Sequence, residues 1–252
     1  MLNHPSLDNL RVMKLDGMAQ AFAEQLEFNP SQELSFEERF ALLIDRELNY
    51  RDNKRFARRM KVAKLRQAAS LEDIDYSHPR NLDRATMQSL SSLSWIKDKH
   101  NLLISGPTGV GKTFLATAFG HQACRKDFSA YYAQTHKLLA ELLIAKADGR
   151  YTRLLSKVAK FDLLILDDWG LDTPNDHEKR ILLDLLDERY QRRSTLIASQ
   201  FHPNLWHENL ASPTLADAIL DRVLHNAYRL NLKGESLRKS RQTLTQPTVN
   251  GS

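Results

Sequence analysis

Residues 106–113 of this 252-residue chain read Gly-Pro-Thr-Gly-Val-Gly-Lys-Thr, a complete G-x-x-x-x-G-K-[ST] phosphate-binding loop. An apolar run, Asn101-Leu102-Leu103-Ile104-Ser105, precedes it, and a helix-like run from Phe114 to Cys124 follows. In that context the N–H groups of the loop converge on phosphate oxygens, and the helix N-terminus adds positive potential. The candidate contacts are Gly106, Pro107, Thr108, Gly109, Val110, Gly111, Lys112, Thr113 and Phe114. Lys112 is expected to reach the β- and γ-phosphates of a nucleoside triphosphate such as ATP, and the Thr113 hydroxyl to ligate Mg2+.

A second acidic element completes that chemistry. Leu163-Leu164-Ile165-Leu166-Asp167-Asp168 is a buried strand ending in two carboxylates. Asp167 would hold Mg2+ through its water shell, because Mg2+ dehydrates reluctantly. Asp168 would orient or deprotonate an attacking water. The run Thr195 to Ser199 ends in Gln200, a candidate contact for the γ-phosphate or that water. Phosphoryl transfer also needs an arginine near the developing charge. Arg222 and Arg238 are the candidates, and their spacing does not choose between them.

The elements that must position these groups follow from periodicity. Residues 6–28 repeat apolar positions at helical spacing and stop at Asn29-Pro30. Ser35-Phe36-Glu37-Glu38 is a capping box that opens a second helix through Phe40, Leu43, Ile44 and Leu48. A third helical stretch, separate or continuous, runs to about residue 69. Residues 1–69 therefore read as a small all-helical domain, 70–80 as a linker, 81–240 as an α/β ATPase domain and 241–252 as a disordered tail. Strands are expected at 102–105, 130–133, 162–167, 195–199 and 228–232, with a helix at 81–94 before the first and helices at 137–147, 178–191 and 215–224 between them. Strands alternating with helices imply a parallel sheet covered by helices on both faces, with the phosphate loop at its carboxyl edge.

Composition excludes other classes. No apolar run is long enough to span a membrane, and the N-terminus lacks a basic flank and apolar core. One cysteine, Cys124, permits no internal disulfide and fits a cytoplasmic protein. Nine histidines show no metal-ligand spacing. Tyr131, Tyr132 and Trp169 read as packing residues. The net charge is +5 and the pI about 9.3. Much of it is concentrated in Arg51, Lys54, Arg55, Arg58, Arg59, Lys61, Lys64 and Arg66, set against the single acid Asp52. Such a stripe suits duplex phosphates and offers little for base readout. The alternative is a solvated face, or pairing with Glu33, Glu37, Glu38, Asp45 and Glu47.

The order of these motifs resembles that of AAA+ ATPases. Leu-Asp-Asp-Trp-Gly at 166–170, Asp221-Arg222, the Gly-Glu-Ser-x-Arg box at 234–238 and the helical N-terminal module resemble, more narrowly, the IstB/DnaC-like group and its IstB-type helper ATPases of insertion sequences. The resemblance spans about residues 5–240. It implies ATP bound between subunits of a homo-oligomer, assembly on double-stranded DNA with little sequence preference, and presentation of that DNA to a partner transposase. It implies Walker A roles for Lys112 and Thr113, Walker B roles for Asp167 and Asp168, the sensor-1 position for Gln200 and a trans-acting finger for Arg222. Three departures stand out. Asp168 occupies a position where Glu is general, which implies slow or partner-stimulated hydrolysis. Gln200 replaces the usual Asn. About 20 residues follow the last expected strand, so the usual helical lid and its arginine are expected to be absent, with Arg238 a candidate stand-in. The alternatives are a DnaC-like replicative helicase loader and, more remotely, a small-molecule kinase.

Overall fold

The computed structural model describes residues 4–28 and 34–237. The Asn29-Pro30 stop, Arg238 and the 241–252 tail lie outside them. The chain divides into two compact units, Met1–Arg58 and Arg59–Ser252.

The first unit holds α1 (Pro5–Val12), α2 (Asp16–Phe28) and most of α3 (Phe36–Ala63). The single helix expected over 6–28 is broken. Lys14 adopts a left-handed φ of 59°, and the Leu15 N–H closes back on Leu10 O at 2.9 Å, a helix C-terminal closure that local apolar spacing does not reveal. Gly17 lets α2 cross α3 closely: a Cβ there would lie 2.7 Å from Tyr50 Cβ and 2.8 Å from Arg46 O.

At this crossing the buried Glu47 directs its carboxylate at the start of α2. Met18 N–H donates to its Oε2 at 3.0 Å and Arg51 Nε to its Oε1 at 2.6 Å. An anion is favourable at a helix N-terminus. Burial pushes the Glu47 pKa up, but hydrogen bonds from Arg51, Met18 and Gly17 hold it below the ordinary 4.5. A depressed pKa means that the stabilisation is fully present above the unfolded value and is lost as pH falls through the folded one. Glu47→Gln is therefore expected to lower hydrogen-exchange protection of the Met18 amide at pH 7 by roughly ten- to a hundredfold. Relative to wild type, and after correction for intrinsic exchange, that gap should close as pH drops below 4.5. A gap constant with pH would show that the charge contributes nothing.

The stretch after Ser35 is one 28-residue helix. The capping box forms, with Ser35 N–H donating to Glu38 Oε2 at 2.7 Å and Glu38 N–H to Ser35 Oγ at 3.3 Å. Lys64, at φ 51°, ends the helix before the expected residue 69. The division between units falls at 58/59, whereas the sequence pattern changes at 69–81. Residues 59–80 belong with the second unit because they are packed into it. Arg59 Nε donates to Cys124 O at 2.9 Å, Ala63 is fully buried, and Arg80 lies against the phosphate loop.

The second unit is built on a five-stranded sheet, all parallel, in the order β2-β3-β4-β1-β5. Its strands are β1 (Asn101–Ser105), β2 (Ala130–Gln134), β3 (Leu163–Trp169), β4 (Ser194–Ser199) and β5 (Ala227–Asn231). All five match the expected strands to within two residues. The expected helix 81–94 is split at Leu93 (φ 61°) into α4 (Arg84–Ser91) and α5 (Ser94–Lys97). Between the strands come α6 (Lys112–Arg125), α7 (Thr135–Ala147), α8 (Tyr151–Ala159), α9 (Asp176–Arg189), α10 (Trp206–Leu210) and α11 (Pro213–Leu224). The short helices α8 and α10 were not anticipated.

Alternation along the strands separates the two faces. Leu103, Leu164, Leu166 and Ile197 join the core formed with α7 to α11. On the other face Ile165 packs against α6 at Gly120, and Trp95 of α5 meets Phe119 of α6 edge-on at 6.1 Å. Parallel strands bring every functional loop to one edge, and β4 lies between the strand of the phosphate loop and the strand of the acidic pair. No helix among the described residues is long and apolar enough to cross a membrane.

Candidate functional site

The loop between β1 and α6 is held from outside by two segments. Gly106, Gly109 and Gly111 have φ of 147°, 85° and 101°. A Cβ on Gly109 would collide with Ser236 Oγ, and the Leu237 N–H donates to Gly109 O at 3.0 Å. The segment after β5 thus rests on the loop. From the other side Arg80, 5% exposed, donates from Nη1 to Val110 O at 3.2 Å. Burial lowers the Arg80 pKa, and its Nε has no hydrogen-bond partner among the described residues. A cation this close adds to the positive potential of the loop. Sequence alone assigned Arg80 to a linker and missed it; nothing in the local pattern sets it apart from Arg84 four residues on.

Within the loop Lys112 Nζ donates to Gly106 O at 2.7 Å and Pro107 O at 2.8 Å. Thr113 Oγ1 donates to Asp167 Oδ2 at 2.8 Å, which brings the two expected metal ligands together. Asp167 is almost wholly buried. The Tyr132 hydroxyl donates to the same Oδ2 at 2.7 Å, and Thr135 Oγ1 to Asp167 O at 2.9 Å. Tyr132 is therefore more than the packing residue that sequence suggested. Burial, together with its hydrogen bond to Asp167, pushes its pKa up and keeps it a donor. Gln134, two residues on and on the same face, donates from Nε2 to Asp168 Oδ2 at 2.7 Å. Polar residues at alternate positions of an otherwise apolar strand were the available signal.

Asp168 itself has a left-handed φ of 56°, at a register shift between Leu166 and Trp169 in the β3–β4 pairing. Left-handed backbone is costly for most side chains and least so for Asp and Asn. The bulge re-aims Asp168 away from the regular pleat. Gln200, at the end of β4, accepts from Thr108 Oγ1 at 2.9 Å. These groups line one cleft of about 480 Å³ that includes Arg66, Thr108, Lys112, Thr113, Phe114 and Asp168. Tyr131 and Trp169 are packing residues as expected, stacking on Phe161 at 5.1 Å and against Trp206 at 5.3 Å.

The donor set fits Mg2+. A hydroxyl and a carboxylate already in contact offer hard oxygen ligands. Among the described residues no group of three or more His, Cys, Asp or Glu could hold a metal alone. Substrate phosphates would then complete the shell, the usual arrangement for Mg2+. Bound there, the ion would neutralise charge on the terminal phosphates.

Other candidates are not brought to this cleft. Arg222 pairs with Asp187 through Nε and donates from Nη1 to Ala218 O at 2.7 Å. Its carbonyl accepts from Asn101 Nδ2 at 3.2 Å, so it sits beside the first residue of β1, at the sheet edge opposite the phosphate loop. Arg238 lies outside the described residues. The basic stripe also divides. Arg51, Lys54, Arg55, Arg58 and Lys61 are exposed on α3. Three assigned to the same DNA-facing set have other partners. Arg59 is tied to Cys124 O and, at 2.7 Å, to Asp127; Lys64 lies over the Tyr131 ring at 5.4 Å; Arg66 enters the cleft. The helix ends at Lys64, so the last two never share its outer face. Of the acidic alternatives only Glu47 pairs with the stripe, at Arg51, among the described residues.

The sequence profile of the family described as IstB-like ATP binding protein matches residues 8–245. The chain belongs to this IstB-like ATP-binding family. Among its relatives is a Sinorhizobium fredii (strain NBRC 101917 / NGR234) insertion-sequence protein, y4pL, whose name assigns it ATP binding. It is 48% identical over 242 residues, covering 96% of this chain and 99% of the relative. The fold is also that of a crystal structure of DnaI (TM-score 0.55, 23% identity, 68% of this chain and 90% of that one). It resembles equally that of the DnaC helicase loader (TM-score 0.53, 23% identity, 66% and 97%). The chain is thus an IstB-like ATP-binding protein that shares its fold with DnaI and with the DnaC helicase loader.

Proposed function

We propose that this IstB-like protein is an ATP-controlled DNA-binding assembly factor for transposition. It binds ATP–Mg2+ in the cleft around Lys112, Thr113 and Asp167, oligomerises with nucleotide at the subunit boundary, holds duplex DNA with little sequence preference and presents it to a transposase. Slow or partner-stimulated hydrolysis, with Asp168 and Gln200 acting on the attacking water, resets the assembly. The observation that carries this reading is the 2.8 Å contact between Thr113 and Asp167 at the mouth of a glycine-rich loop. It is the metal-ready arrangement of a nucleoside triphosphatase. The position of Arg222 supports a role in trans. The four residue steps of β1 separate its edge from the phosphate loop by about 13 Å, so its own nucleotide is out of easy reach while a neighbour's is not. Likeness to the DnaC helicase loader is one of fold and favours no loader activity.

Binding of a random-sequence duplex, measured alongside sedimentation with no nucleotide, with ADP–Mg2+ and with a non-hydrolysable ATP analogue, tests the switch. The triphosphate is expected to tighten DNA binding at least tenfold, a coupling of the usual allosteric size, and to shift the protein to larger assemblies. Equal affinity in all three states would sink the proposal.

A further inference from the structure

The sequence grouped Arg66 with the DNA-facing cations, yet its guanidinium lies in the nucleotide cleft. Arg66 Nη1 is 3.9 Å from Asp167 Oδ2 and 3.9 Å from Asp168 Oδ2, equidistant from both acids of the Walker B strand. It also interacts with the Tyr132 hydroxyl oxygen, whose O–H donates to Asp167 Oδ2 at 2.7 Å. The guanidinium is a permanent cation. The pairing with the acids is loose. Committed charge-assisted bonds lie at about 2.7–2.9 Å, and the Arg66 side chain is 47% exposed. Arg59, by contrast, is 18% exposed and makes two bonds of 2.9 and 2.7 Å. A half-exposed ion pair of this kind contributes little and exchanges partners cheaply.

The anions that hold Arg66 are the groups that a triphosphate and its metal would engage. Asp167 Oδ2 is shared by Thr113, Tyr132 and, loosely, Arg66. A divalent cation drawn to Thr113 and Asp167 would compete with the guanidinium for that charge. The terminal phosphate accompanying it is the nearest replacement anion, in a cleft that Arg66 already lines together with Lys112, Thr113 and Gln200. Arginine matches phosphate oxygens with a planar fork of donors. We propose that Arg66 reads the terminal phosphate of the bound nucleoside triphosphate in cis, with the Asp167–Asp168 pair as its resting place when that phosphate is absent. Arg66 then supplies the discrimination between triphosphate and diphosphate from within one chain, separately from the trans arginine. This rests on the nucleotide-site reading above.

Equilibrium binding of a fluorescent non-hydrolysable ATP analogue and of the matching ADP analogue, both with Mg2+, tests it in the full-length protein. Arg66→Ala is expected to weaken the triphosphate by about tenfold or more, the size of a lost hydrogen bond to a charged group, while ADP stays within about twofold. Arg66→Lys should recover part of the preference, because it restores the charge but not the fork. Loss of both nucleotides by one factor, no change in either, or tighter triphosphate binding by Arg66→Ala would overturn the proposal. Lys112→Ala separates the two levels of failure. If it too leaves binding unchanged, the nucleotide site is misassigned; if it abolishes binding while Arg66→Ala alters nothing, only the role of Arg66 falls. In the absence of nucleotide the salt dependence of DNA binding should be the same for Arg66→Ala and wild type. A slope lower by about 0.9 would return Arg66 to the DNA surface.

Discussion

Lys112→Ala is expected to remove measurable ATP binding and, with it, every nucleotide-dependent change in assembly and DNA affinity. Arg66 lines the same cleft, but among the described residues no other cation belongs to the loop itself. Lys112 is the loop's own cation, nine-tenths buried, and its Nζ is held by Gly106 O and Pro107 O. Those carbonyls mark it as poised beside the loop, where phosphate oxygens would replace or supplement them. A hydrogen bond to a charged group contributes about 1.5–3 kcal/mol, and Lys112 would make more than one such bond to the β- and γ-phosphates. Two losses of that size correspond to roughly 10² to 10⁴ in affinity. The same substitution also unties the loop carbonyls, so thermal unfolding without nucleotide should be measured in parallel. A large loss of affinity with a small change in Tm assigns the effect to the ligand. Retained ATP binding would remove residues 106–113 from the nucleotide site.

Much of this site was legible because its signals are local. A glycine-rich loop fixes its own backbone, and a buried strand ending in acid delivers a carboxylate wherever the sheet goes. What the sequence could not show was lateral order. β4 lies between β1 and β3, so Gln200 reaches Thr108 although 92 residues separate them. Tyr132 and Gln134 gain their roles only from the β2–β3 register, in which Gln134 pairs with Asp167. Arg80 and Arg66 looked like linker and DNA-facing residues because the helical pattern gives no warning of where α3 stops. A left-handed lysine at 64 is invisible to propensity, and it turns residues 65–80 into the second unit. The break at Lys14 and the split at Leu93 have the same origin, a single residue taking positive φ where no glycine marks it.

The second large effect concerns the basic helix, and here the structure changes which residues to alter. Arg51, Lys54, Arg55 and Arg58 recur at three- and four-residue steps and are exposed on α3. Their internal partners are weak competitors for DNA. Lys54 is 3.8 Å from Asp16, Arg55 pairs with its own neighbour Asp52, and all four groups are substantially exposed. Arg51 is the least available, since it also holds Glu47. Neutralising Lys54, Arg55 and Arg58 together is therefore expected to lower the slope of log affinity against log salt by up to about 2.7, near 0.9 for each phosphate that no longer meets a cation. DNA binding near physiological salt should fall by orders of magnitude while ATP affinity is retained. Arg59→Ala is the internal contrast. It removes the bonds to Cys124 O and Asp127, so it should lower Tm and leave the salt slope unchanged. Were the triple variant to keep the wild-type slope, or Arg59→Ala to reduce it, the outward face of α3 would not be the surface that meets the duplex.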